Sequence, residues 1–100
     1  MNIKLNIDGQ EKTFKAGFIS ARMLRNTMKM YNEIEKIDLT SPEGLDVIVD
    51  FEVDVYGKQF TRDQLYDGIG ASELLDKITA DMQLIMGQMN AKVENVASKN

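Results

Sequence analysis

The chain has 100 residues, of which 43% are apolar and 28% charged, with a formal net charge of -4; this is the size and balance of one folded domain. It contains neither Cys nor His, which excludes disulfides, thiolate or imidazole metal sites and a conventional hydrolase triad. No apolar run is long enough to span a membrane, no signal-peptide pattern is present and the pI is near 4.7, so the expectation is a cytoplasmic protein with neither membrane nor nucleic acid as a partner.

Residues 3–18 read as an antiparallel hairpin. Ile3, Leu5 and Ile7 alternate with Lys4 and Asn6, Asp8-Gly9 supplies a turn, and Phe14, Ala16 and Phe18 resume the alternation. A two-residue loop sets Ile3 opposite Phe14; a four-residue loop sets Leu5 opposite Phe14. Both place the same residues on the apolar face, so the register stays open. Ser20 is a candidate N-cap for a helix running to about Ile37, with Ala21, Leu24, Met28, Tyr31 and Ile34 as the stripe expected to cover the hairpin. Arg22, Arg25 and Lys29 form a basic ridge elsewhere on that helix.

Residues 41–56 carry two competing patterns. Val47, Val49, Phe51, Val53 and Val55 alternate as a strand would. Against that, Ser41 can cap, Pro42 suits the first helical position and Gly57 can follow the last turn, while Glu43, Asp46, Asp50 and Asp54 gather on one helical face. The helix is favoured, with Val47 and Glu52 sitting awkwardly in it. Thr61 and Gln64 satisfy a capping box for a short helix, and Phe60 can staple onto Leu65. Gly68 and Gly70 break that helix. Ser72 is the expected cap of a last helix from Glu73 into the nineties, with Leu75, Ile78, Met82, Ile85, Met89 and Val96 along its stripe. The whole reads as a single mainly helical α+β domain over residues 1–100, a two-stranded antiparallel hairpin packed on three or four helices, with a long C-terminal helix and a frayed tail over residues 93–100.

Catalytic, cofactor and metal sites are not indicated. Asp46, Asp50 and Asp54 lie one turn apart on a single helix and cannot enclose an ion, and Asp63 and Asp67 read as a solvated pair. Gly68-Ile69-Gly70 lacks the pattern of a phosphate-binding loop. The expectation is a non-enzymatic protein without cofactors. What remains is binding surface. The last helix is longer than the other elements need, so its distal half can seek a partner, including a second copy, and Met82, Met86 and Met89 would make a conformable face there.

Three pieces of the chain carry a resemblance. The strand-rich start ends in Phe14-Lys15 and leads to Ile19-Ser20-Ala21-Arg22-Met23-Leu24-Arg25; an acidic-apolar helix ends in Val55-Tyr56-Gly57; and Gln59-Phe60-Thr61-Arg62-Asp63-Gln64-Leu65-Tyr66-Asp67-Gly68 follows. In order and spacing the chain resembles the small tail assembly chaperones of long-tailed bacteriophages and prophages of Gram-positive bacteria, over roughly residues 1–90. The resemblance implies a late phage protein in the host cytoplasm, absent from the mature virion. It would bind the tape measure protein, help major tail tube subunits assemble around it, and in some relatives exist also as a frameshifted longer form. The client surface expected on this reading is Met82, Ile85, Met86 and Met89, with Arg22, Arg25 and Lys29 as an orienting rim. The competing reading is a small adaptor or regulatory subunit.

Overall fold

Asp8 and Gly9 adopt φ of 53° and 79°, the left-handed pair that closes a two-residue hairpin with the twist of its strands. In the computed structural model, which describes the backbone of residues 1–98 and the side chains of residues 1–87, β1 (Asn2–Ile7) and β2 (Gln10–Lys15) pair antiparallel with Ile3 opposite Phe14 and Ile7 opposite Gln10. The shorter loop therefore sets the register. Ile3 and Leu5 point into the core, Phe14 is half-buried against it, and the other face is solvated.

The four helices follow in order: α1 (Ala21–Glu33), continued by a single 3-10 turn over Ile34–Lys36, then α2 (Pro42–Val55), α3 (Arg62–Gly68) and α4 (Leu74–Ser98). Three expected caps are made. The Ser20 hydroxyl accepts from the Met23 amide, Ser41 from Gly44, and Thr61 from Gln64, whose side chain in turn accepts from the Thr61 amide to complete the capping box. Residues 47–55 are helical, so the caps and Pro42 prevailed over local β propensity. At the start of α4 the expectation fails. The helix begins at Leu74, after a turn over residues 71–73, and among the described residues no backbone amide donates to the Ser72 hydroxyl to cap it.

The hairpin is covered by α3, whereas α1 packs against α4 and α2. This corrects the expected role of the α1 stripe. At Gly68 a β-carbon would come within 2.9 Å of the Asn6 carbonyl oxygen and 3.0 Å of the Leu5 β-carbon, so the end of α3 lies directly on β1. Phe14 meets Phe60 edge-on at 5.0 Å between ring centres, and the Gln59 amide donates to the Lys15 carbonyl at 2.7 Å. The buried side of α1 is Thr27 with the half-buried Met23, Leu24 and Met30, followed by Ile34 in the 3-10 turn, while Met28 and Tyr31 of the expected stripe are exposed. Thr27 is tolerated inside because its hydroxyl donates to the Met23 carbonyl at 2.7 Å. A single apolar cluster joins Leu5 of the hairpin, Ile48, Val49 and Tyr56, the Phe60 and Leu65 staple, and Ile78, Met82 and Ile85 of α4.

Candidate functional site

Of the residues expected to meet a partner, Met82 and Ile85 are each only 1% exposed. They belong to the core, which is a correction with a simple cause: Ile78, Met82 and Ile85 share the α4 face that α1 and α2 cover. Met86 is half-buried on the flank of that face. Met89 and the frayed tail expected over residues 93–100 lie beyond the described side chains. Arg22, Arg25 and Lys29 are all exposed on α1, and among the described residues none of them enters an ion pair or hydrogen bond.

Met86 does meet α1, through a residue expected to face the hairpin. Tyr31, 51% exposed, forms with Gln83, Met86 and Gly87 an open groove of about 340 Å³ between α1 and α4. A β-carbon at Gly87 would touch nothing, so this wall leaves the α4 backbone open to close approach. Met28 stands one turn before Tyr31 and is also exposed. The basic residues and the apolar groove thus share one helix, though the apolar part differs from the methionine stripe expected from spacing alone. On its other side Lys29 borders a cleft with Glu33, Asp50, Phe51 and Asp54.

The acidic face of α2 is only partly solvated. Arg62, at the first position of α3, grips Asp50 with two nitrogens at 2.8 and 2.6 Å and reaches Asp46 at 3.4 Å, and the Tyr66 hydroxyl donates to Asp46. The Arg62 bond holds the Asp50 carboxyl below its ordinary range, and Asp50 in turn holds the guanidinium more firmly charged. Burial and the bond to Asp46 push the Tyr66 hydroxyl up to about 12. These contacts tie α3 to α2, a use of Asp46 and Asp50 that their helical spacing alone did not reveal.

Glu52 and Asp81 form a buried acidic pair that spacing also missed. Both are fully buried. Asp81 accepts from the Tyr56 hydroxyl at 2.8 Å and from the Lys77 ammonium at 3.0 Å, while neither Glu52 oxygen has a hydrogen-bond partner among the described residues. Burial, and then the neighbouring Asp81 carboxylate, push Glu52 up to about 9. The same two causes, in the same order, raise the Tyr56 hydroxyl. A protonated Glu52 can donate to Asp81, and an ionised one cannot. Both carboxylates are closed to solvent, and the cluster ties the end of α2 to α4.

Among the described residues no group of three or more acidic side chains is placed to hold a metal, and no helix is long and apolar enough to cross a membrane. On the surface of α1 stand the exposed cations Arg22, Arg25 and Lys29 and the exposed Met28 and Tyr31, side chains that the described core does not absorb. A family model described as phage tail chaperone protein matches residues 1–100, and the chain belongs to that family. No curated protein and no solved structure matches it.

Proposed function

We propose that the protein is a tail assembly chaperone that holds the tape measure protein soluble and helps recruit major tail tube subunits to it. It would act in the cytoplasm of a Gram-positive host during morphogenesis of a long phage tail and be absent from the finished virion. The observation that carries this reading is the family match over the full chain, from residue 1 to residue 100. The physical character of the molecule supports it. A chain of net charge -4 adds solubility to a complex with a long apolar client, and open apolar side chains on its helices offer contact area of modest size, suited to later exchange.

The test is co-expression with the tape measure protein of the same phage genome, followed by size exclusion with light scattering of the soluble fraction. The expected result is a soluble complex that disappears when the chaperone is omitted. A client that is equally soluble, or equally insoluble, with and without this protein overturns the reading.

A further inference from the structure

The pairing of the hairpin decides which backbone groups of β1 stay free. Ile3 stands opposite Phe14, Leu5 opposite Lys12 and Ile7 opposite Gln10, and two residues before Ile3 the Met1 carbonyl accepts from the Ala16 amide at 3.0 Å. In an antiparallel ladder only alternate pairs exchange bonds. Ile3, Leu5 and Ile7 therefore spend their N–H and C=O groups on β2, whereas those of Asn2, Lys4 and Asn6 point away from it. At Asn6 this outer edge is covered, since a β-carbon at Gly68 would stand 2.9 Å from its carbonyl oxygen and 3.2 Å from its nitrogen. At Asn2 and Lys4 no hydrogen bond among the described residues uses the edge. An open groove of about 330 Å³ runs there instead, lined by Asn2, Ile3, Lys4, Ile69, Glu73 and Lys77. The solvated face beside it is basic. Lys4 and, opposite Asn2, Lys15 are exposed and enter no ion pair among the described residues, and the carboxylate that the strands carry on that face, Glu11, lies farther along, opposite Asn6.

We propose that the outer edge of β1 at Asn2 and Lys4 is a strand-addition site, which takes an extended acidic segment of a partner chain as a third antiparallel strand. The free backbone groups select an extended occupant, because a helix has already spent its own donors and acceptors along its length. Charge complementarity selects an acidic one. Residues of the incoming strand opposite Asn2 and Lys4 exchange both backbone bonds with them and carry their side chains on the solvated face. Carboxylates there meet Lys4 directly and lie in the field of Lys15, whereas lysines there meet like charge. The residue between them, opposite Ile3, turns into the groove against Ile69 and the aliphatic stem of Lys77, which suits an apolar side chain. A second copy of β1 does not fit. Self-pairing through Asn2 and Lys4 sets the two Lys4 side chains on one face, directly opposite or one diagonal apart, and a lysine so placed guards an edge against its own kind. A third strand also reinforces a hairpin that two strands leave marginal. The edge is the same whichever chain supplies the strand, so the site stands apart from the proposed function.

The experiment titrates two short fluorescent peptides, one alternating Val with Glu and the other Val with Lys, with the full chain and follows anisotropy. The Glu peptide is expected to bind about tenfold tighter or more at low salt, with the gap narrowing as salt rises. N-methylation at its Glu positions removes the amides that face β1 and should weaken it about tenfold or more, while methylation at its Val positions, whose amides face away, should cost much less. On the protein, Lys4→Pro removes one edge donor without touching the bonds to β2 and should weaken the Glu peptide to a similar extent, and Lys4→Glu should transfer the preference to the Lys peptide. Circular dichroism checks each variant for its fold, and should Lys4→Pro fail to fold, the methylated peptides carry the test alone. In amide exchange the bound Glu peptide should protect the Lys4 amide and leave that of Leu5, already bonded to β2, unchanged. Equal binding of the two peptides, no binding of either, or indifference to methylation at Glu overturns the site. A Lys4 amide protected without peptide, together with a dimer in light scattering, overturns the occupant, because a second copy then fills the edge.

Discussion

Glu52 is fully buried with neither oxygen partnered among the described residues and with Asp81 beside it, a position that suits a neutral carboxyl group and penalises an ionised one. Its folded-state value of about 9 lies above the ordinary 4.5, so between those limits the folded chain holds a proton that the unfolded chain has lost. The contribution of Glu52 to stability is therefore fully present below about pH 4.5 and is lost as pH rises through 9. Urea unfolding followed from pH 5.5 to 8.5 should show stability falling with pH, with a slope that approaches about 1.4 kcal/mol per unit for one proton. Glu52→Gln, which keeps a neutral donor for Asp81, should flatten that slope; a profile identical to wild type would refute the assignment. Tyr56→Phe removes the hydroxyl that donates to Asp81 and should cost about 1–3 kcal/mol, read as a lower urea midpoint at pH 7. Glu52 was visible in the sequence as a carboxylate sitting awkwardly near the apolar face of its helix. Asp81 was not, although it stands three residues after Ile78 and four before Ile85, because its polar identity concealed a place that the helical period assigns to the core.

At the scale of elements, the legible features were those whose determinants lie within a few residues. The caps at Ser20, Ser41 and Thr61 and the Asp8-Gly9 turn are local chemistry, and all are present. Which face of a helix turns inward depends on its neighbours, and there the sequence was ambiguous. On α1 the expected stripe and the set Met23, Thr27, Met30 share one period, and the packing of α4 and α2 chooses the second together with Leu24, leaving Met28 and Tyr31 outside. The same limit applies to the candidate site: Arg22, Arg25 and Lys29 were legible as a ridge, whereas the pairing of Tyr31 with Met86 required the tertiary structure. The approach of α3 to β1 gives a sharp element-scale prediction. Gly68→Ala places a methyl group against the Asn6 carbonyl and the Leu5 β-carbon, contacts that must open by a few tenths of an ångström. Overpacking of this kind should cost about 1–3 kcal/mol despite the better helix propensity of Ala, measured as a lower thermal midpoint. An unchanged or raised midpoint would show that the hairpin yields at no cost.

For the molecule as a whole, the question is whether the hairpin and the helices unfold together. An isolated two-stranded hairpin is marginal in water, and this one is held by Phe14 on Phe60, Gln59 on the Lys15 carbonyl and the seating of β1 on Gly68. Those contacts end on the segment that also supplies Leu65 to the core and Arg62 to the acidic face of α2. The Tyr56 ring then lies 5.7 Å from Phe60 on one side and bonds to Asp81 of α4 on the other, so no boundary separates a hairpin unit from a helical one. The near-ultraviolet dichroism, to which the buried Tyr56 should contribute strongly, and the far-ultraviolet signal of the helices should share one urea midpoint and one slope. Phe14→Ala, made on the hairpin, should shift both signals together rather than produce an early transition in either. Two separated transitions would mean that α3 and the hairpin form their own cooperative unit, and the staple at Phe60 and Leu65 would then be a hinge between units rather than the centre of a single core.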